Sequence, residues 1–467
     1  MSAESTARTL WAPYAWLMRD GVGDWQPSVV LGIGEDGCWS HISAHTTPPD
    51  DAVRLDGPVL PGVVNAHSHA FQRAFAGLAE HGGPAGDDFW SWRDRMYRVA
   101  QRIDPDTLRT VATQLYFELL QGGYTEVCEF HYLHRAPDGS RYADPLAMSR
   151  ALVEAACSVG IGLTLLPVLY ERAGFGEAAL RAEQRRFEAS VDDVLAIRDG
   201  IRALNAPRIH VGVAIHSLRA AHPASMEKLA ASVAHDDMPV HIHVAEQARE
   251  VDECVAFHRQ RPVEWLTAHA PLDRRWHLVH ATHAIPSEIT QVAGTGAGIV
   301  VCPTTEANLG DGVFDLPRWL AAGVPLSTGS DSQVSRAWWE ELRMLEYSQR
   351  LLHRRRMIAA EGQTGRSGAG RLFDSTLCAG GAACGRHSWG FEQGARADLL
   401  VADVNAPALI GIPPERYLDA MVFSSPSRPV ADVMVAGHWR IRGAQHSFAR
   451  DSARERAFAA AMHTLWP

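Results

Sequence analysis

Between about residue 58 and residue 360, short apolar runs alternate with stretches whose apolar positions recur every three or four residues. The runs predict strands over Gly62–His67, Thr125–His131, Leu163–Tyr170, His210–His216, Val240–Val244, His277–Ala281, Gly298–Cys302 and Pro325–Ser330. The periodic stretches predict helices over Asp106–Gln121, Asp144–Val159, Glu177–Leu204, Pro223–Ala234, Glu250–His258, Ser287–Ala293 and Pro317–Ala322, with Trp338–Met357 as the last. Gly122-Gly123 stands where a helix has to stop before the next strand. Eight strand–helix units in one run predict an α/β fold, a (β/α)8 TIM-like barrel. An open doubly wound sheet would carry a glycine-rich phosphate turn after its first strand, and His67-Ser68-His69 occupies that place.

The flanks follow another pattern. Leu10–Met18 and Ser28–Ile33 read as strands, with turn residues over Gly32–Gly37. Beyond Gly362–Gly370, which reads as a flexible Gly/Ser segment, strands return over Gly394–Asp403, Asp432–Val435 and His438–Ile441. Ser452–Leu465 reads as a terminal helix. The expected division is a small β-sandwich domain built from both chain ends, residues 1–57 and 377–467, with the barrel, 58–376, inserted between.

Composition narrows the function classes. Of 467 residues 46% are hydrophobic and 21% charged, which is ordinary globular material. A net charge of -10 speaks against a nucleic-acid partner, and it means that an anionic ligand must be gripped by local arginines. The seven cysteines are odd in number and form no Cys-x-x-Cys, a pattern of reduced thiols. With an acid at Glu4, no cleavable apolar leader and no run long enough to cross a bilayer, the expected place is the cytoplasm, with no membrane partner.

Barrel enzymes work at the carboxyl ends of their strands. There this sequence places His67 and His69, two residues apart and so on one face of a strand; His241, His243 and Glu246; His277, His280 and His283; and Asp331. The expected metal set is His67, His69, His243 and Asp331. Three imidazoles, a carboxylate and a position for water suit a catalytic zinc, while ligand softness leaves iron, nickel and manganese open. His241, one pleat deeper, is expected to support or pack, His277 to be structural, and His280 to take precedence over His283. The fourth strand holds no lysine, the residue that bridges two metals when carboxylated, so one ion is expected. Glu246, just beyond His243, is placed to shuttle a proton between water and a leaving nitrogen.

This arrangement resembles the amidohydrolase superfamily and, within it, the mononuclear deaminases. More specific runs carry the resemblance further: Asn65–Glu80, Asp88-Phe-Trp-Ser-Trp-Arg93, Glu129-Phe-His-Tyr132, His216-Ser-Leu-Arg219 and Gly329-Ser-Asp331-Ser. It implies hydrolysis of N-formimidoyl-L-glutamate to N-formyl-L-glutamate and ammonia in histidine degradation, by a zinc-dependent homodimer. The implied catalytic residues are Glu246 as proton shuttle, Asp331 as acceptor of the water proton, and His280, which holds the water or the developing tetrahedral centre. Arg93 and Arg219, expected on loops of the active face, would each grip a substrate carboxylate bidentately, with Tyr132, His216 and Gln72 adding contacts. The rival readings are a deaminase of purine or pyrimidine bases, a binuclear amidase, and a barrel that serves only as a scaffold.

Overall fold

The computed structural model describes residues 9–80, 88–361, 365–424, 428–443, 445–446 and 452–466. Glu4 and the first part of the Gly362–Gly370 stretch lie outside them. The centre is a parallel sheet in which eight strands follow one another in chain order. They are β1 (Val63–Ser68), β2 (Tyr124–His131), β3 (Gly162–Leu169), β4 (Val213–Ser217), β5 (Val240–Val244), β6 (Trp276–His280), β7 (Gly298–Val301) and β8 (Leu326–Thr328). Every residue of β2 and β3 is buried, as expected where helices cover a parallel sheet outside and side chains fill it inside.

The barrel closes between β8 and β1 through the residues of greatest chemical interest. The Asp331 N–H donates to the carbonyl of His67 at 3.0 Å, and the His69 N–H donates to the carbonyl of Asp331 at 3.2 Å. Asn65 spans the same seam: its amide donates to Ser330 Oγ at 2.7 Å, and its Oδ1 accepts the Ser330 N–H at 2.9 Å. The two strands approach so closely at Gly329 that a Cβ there would lie 2.7 Å from the carbonyl oxygen of His67, so only glycine fits.

Seven of the eight expected barrel strands are found within a residue or two; the fourth is split, with Ile209–Val211 paired to β3 and β4 beginning only at Val213. In the chain ends the second strand starts at Val22 rather than Ser28, and the Gly394–Asp403 run is a strand only over Leu399–Ala402. The expected helices, Glu177–Leu204 apart, are found within four residues at each end. Pro105–Gln121 starts on an Asp104 cap with proline in its first turn. Glu177–Leu204 is not one helix. The chain makes a 3-10 turn over Ala182–Phe187, pairs Ala189 with Tyr170, and enters an α-helix only at Val191–Ala203. Ser190 sets that start by accepting the Asp193 N–H, a cap that unbroken periodicity hides. Buried Arg186 ties the preceding turn to the carbonyl of Ile103 at 2.8 Å. The Gly362–Gly370 reading also needs correcting: an α-helix, Gly368–Ala383, begins on a Ser367 cap. Its small residues let it lie against β1 and β8, with Gly380 facing Val64.

The chain ends share a second sheet. Thr9–Arg19 and Val22–Ile33 form a long antiparallel hairpin, and Val59–Pro61 pairs antiparallel with Leu399–Ala402, joining the two ends. Leu10, Val29, Leu31, Trp39, Val59 and Leu399 belong to its own buried cluster. The terminal helix Ser452–Leu465 rests on the barrel helix Pro105–Gln121. Among the described residues no helix is long and apolar enough to cross a membrane, and all seven cysteines are unpaired.

Candidate active site

The pleat of β1 carries His67 and His69 to the rim on one side of the strand, where they meet His243 from β5 and Asp331 after β8. His67 Nε2 lies 3.2 Å from His69 Nε2 and 3.0 Å from His243 Nε2. Asp331 Oδ1 lies 3.5 Å from His67 Nε2 and 3.2 Å from His69 Nε2. All four residues are buried. Burial drives the His67 and His243 imidazoles well below their ordinary pKa, and burial together with the neighbouring His67 takes His69 down to about 3. His69 Nδ1 stands 2.9 Å from the Phe130 carbonyl, which holds the proton on Nδ1 and leaves Nε2 a bare lone pair. Phe130 also stacks on His243, with ring centroids 4.3 Å apart.

Neutral nitrogen lone pairs and a carboxylate oxygen converging in a dry pocket repel one another unless a cation lies between them. Donors about 2.0–2.2 Å from a tetrahedral zinc stand roughly 3.3–3.5 Å apart. The separations here, 3.0 to 3.5 Å, fit a divalent metal. His280 Nε2 stands 3.9 Å from Asp331 Oδ2 and 3.8 Å from Glu246 Oε1. Burial opposes its charge, but Glu246, Glu306 and Asp331 outweigh burial and raise it to about 10.

Glu246 is buried and its pKa is raised by desolvation. Arg219 Nη2 approaches its Oε2 at 3.5 Å. Ala245, His280, Ala281, Asp331 and Gln333, all at this rim, hold φ between 45° and 69°, the left-handed region that costs a non-glycine residue about 1 kcal/mol or more.

One cavity gathers the remaining candidates. Its lining includes Gln72, Arg93, Tyr132, His216 and Arg219 together with Glu246, His280 and Asp331. Gln72, in the short helix after β1, donates to Tyr132 Oη at 3.0 Å, and its buried Oε1 has no partner among the described residues. Arg93 is not on a loop. It lies inside a helix, Phe89–Ala100, capped by Asp88, whose Phe89, Met96 and Tyr97 form a buried face. Its guanidinium lies 4.4 Å from the Trp90 ring and 5.5 Å from Tyr97, and its buried Nε meets no acceptor among the described residues. Arg219 lies in the turn after β4, as expected. His216 at the end of β4 stacks edge-on against Tyr170 at 4.6 Å.

His241 and His277 lie side by side deeper in the barrel, 4.8 Å apart, with His241 Nε2 2.9 Å from the Ala383 carbonyl; neither reaches the cavity. His283 is also outside it.

Sequence reasoning missed two carboxylates. Glu250 accepts the Ala245 and Glu246 N–H groups at 3.3 and 3.1 Å and lies 3.8 Å from Arg219. Glu306 meets His280 Nδ1 at 3.3 Å. Their only sequence signal is an acid one turn after a strand end, which any helix start shows.

Comparison with known proteins agrees with this geometry. Residues 59–440 match the amidohydrolase family. The chain is 46% identical to a formimidoylglutamate deiminase of Pseudomonas aeruginosa, over 92% of this chain and 94% of that one. It is 28% identical to an 8-oxoguanine deaminase of the same organism over 82% of each. A crystal structure of an amidohydrolase from Brucella melitensis superposes with a TM-score of 0.92 at 40% identity, over 98% of this chain and 100% of that chain.

Proposed function

This chain belongs to the amidohydrolase family, and we infer that it hydrolyses N-formimidoyl-L-glutamate to N-formyl-L-glutamate and ammonia, a step in histidine degradation. One observation carries the reading beyond overall likeness: two arginines, Arg93 and Arg219, open onto the same cavity as the His/Asp cluster. A substrate with two carboxylates and one amidine carbon matches that set of groups. A purine or pyrimidine has no use for the pair.

Metal dependence belongs to the family, and we assign one divalent ion, zinc, to His67, His69, His243 and Asp331. Such an ion, when bound, brings the pKa of a coordinated water from 15.7 to about 7. The remaining work falls to this chain's side chains. Arg93 takes one carboxylate of the substrate through a guanidinium whose Nε has no partner among the described residues. Arg219 takes the other, with Tyr132 and His216 as further donors. Gln72 Oε1, buried and without a partner among the described residues, accepts an N–H of the formimidoyl group. Asp331 accepts the proton that the attacking water gives up. His280, held through Nδ1 by Glu306, keeps Nε2 toward the developing tetrahedral centre. Glu246, whose burial favours its protonated form, hands one proton to the departing nitrogen, Asp331 passes on the one it took from water to complete ammonia, and the hydroxyl of the tetrahedral centre returns its proton to Glu246 as the carbonyl forms. The reading carries a place in the cytoplasm and no nucleic-acid partner, supported by the unpaired cysteines and the net charge of -10, and a homodimer, which rests on the family resemblance alone.

Ammonia release from N-formimidoyl-L-glutamate, set beside guanine, 8-oxoguanine, cytosine and adenosine, tests the assignment. The expected kcat/KM is at least about a hundredfold higher for the linear amidine, the size of effect that site-specific charge recognition gives. Faster turnover of any base would overturn it.

A further inference from the structure

Outside the cavity just described, and sharing Arg93, Ala173 and Arg219 with it, lies a second chamber. The space open to water-sized molecules is about 60 Å³ in the inner cavity and about 420 Å³ in the outer one. The outer walls bring four arginines, Arg93, Arg181, Arg219 and Arg249, against two glutamates, Glu177 and Glu253. The chain as a whole carries -10, so this local excess of positive charge runs against the global field. Trp90, on the wall of the outer chamber, links Arg93 to Arg249: their guanidinium carbons each lie 4.4 Å from its ring. Arg249 is 2.6 Å from Glu253, an exposed pair one helical turn apart, which holds it only weakly.

We propose that the outer chamber is a second carboxylate-binding station, in which Arg181 and Arg249 take the dicarboxylate substrate before Arg93 and Arg219 draw it inward. The proposal rests on the reading that the substrate is a dicarboxylate. Charge continuity supports it: Arg93 and Arg219 face both chambers, so a carboxylate leaving Arg249 passes to another guanidinium without crossing neutral wall. Roominess supports it too, since the outer chamber holds a whole glutamate-sized molecule clear of the reacting groups.

The test is kinetic. In R181Q/R249Q, kcat/KM for N-formimidoyl-L-glutamate is expected to fall about tenfold at low ionic strength, the lower end of what a focusing charged cleft supplies. The gap should close to about twofold near 1 M salt, where charges screen within roughly 3 Å. R181K/R249K should recover most of the loss. E253Q, which frees Arg249 and removes a negative charge, should raise kcat/KM at low salt, a direction that mere structural damage does not produce. An unchanged kcat/KM in R181Q/R249Q, a loss indifferent to salt, or a fall in E253Q would overturn the station. Binding of glutarate by calorimetry reads the station without turnover: R181Q/R249Q should weaken it severalfold at low salt, and equal affinities would refute it. Wild-type protein that releases no ammonia from N-formimidoyl-L-glutamate would instead refute the functional reading, with the glutarate result still deciding the station.

Discussion

The two ends of the barrel bury charge in opposite ways. At the amino end, Arg396 lies 2.6 Å from Glu126 on β2 and 2.6 Å from Asp398, and it donates to the Thr125 carbonyl at 3.1 Å. These carboxylates outweigh the cost of burial and raise the guanidinium's affinity for its proton. Arg396, Glu126 and Asp398 have found their opposites, and the pairing fastens the small sheet to the barrel floor. At the carboxyl end, three imidazoles and Asp331 face one another, and Arg93 and Gln72 keep buried atoms without partners among the described residues. The strained residues Ala245, His280, Ala281, Asp331 and Gln333 stand at that end as well. A fold selected for stability alone would satisfy these groups as it satisfies Arg396. On the proposed function, leaving them unmet reserves their binding energy for an ion and a dicarboxylate.

That contrast can be broken from either side. The largest effect is expected on removing the metal. Dialysis against a chelator should lower ammonia release by about 10⁴-fold or more, given the pKa of free water against that of metal-bound water. Re-addition of a divalent ion should restore it, with metal analysis giving close to one ion per chain. Retained activity in metal-free protein would erase the distinction between the two ends. Next comes Glu246→Gln. It should keep the metal and the thermal midpoint while kcat falls about 10²–10⁴-fold, the usual loss for a positioned proton shuttle. Near-wild-type turnover with metal bound would remove Glu246 from that role.

At the floor the signs reverse. Arg396→Met leaves Glu126 and Asp398 buried without their cation, which should cost about 3–5 kcal/mol of stability. Chemical denaturation should show that loss, with the fraction still folded retaining its kcat. A variant as stable as the parent would mean that the floor network is dispensable.

The smallest effect concerns a bridge between the ends of the barrel sequence. Glu118 receives Arg73 at 2.7 Å, from the segment after β1, and Arg336 at 2.9 Å, from beyond β8. Burial works against its ionisation, yet Arg73 and Arg336, with Gln114, hold its pKa below the ordinary 4.5. A carboxyl group depressed in the fold stabilises it above its unfolded pKa, and that contribution is lost as pH falls through the folded value. The difference in thermal midpoint between the parent and Glu118→Gln should therefore be full above pH 4.5 and close on acidification. A gap that widens in acid would contradict the pairing.

Much of this was legible along the chain. Strand runs such as Gly162–Leu169 and Gly298–Val301 announce themselves because both faces of a barrel strand are buried, which gives short, dense apolar runs. The His67, His69, His243 and Asp331 convergence follows from strand periodicity and the rule that barrel chemistry sits at carboxyl ends. The helix that carries Arg93 was hidden because its pattern is short and aromatic-rich, and its start depends on the Asp88 and Ser91 cap. The break at Ser190 was hidden for a related reason: a cap is one hydrogen bond, while periodicity is summed over many residues.

What the sequence determined by itself is the order of the barrel strands, the family resemblance and the histidines and aspartate at the strand ends, since each rests on local spacing. Tertiary structure alone decided which polar groups were satisfied. Arg396 and Arg93 are the same residue type, yet one is enclosed by carboxylates and the other has a buried Nε with no acceptor among the described residues. That difference arises only when segments some 270 residues apart, such as Glu126 and Arg396, are brought together, because electrostatic partnership depends on distance in space and on exclusion of water.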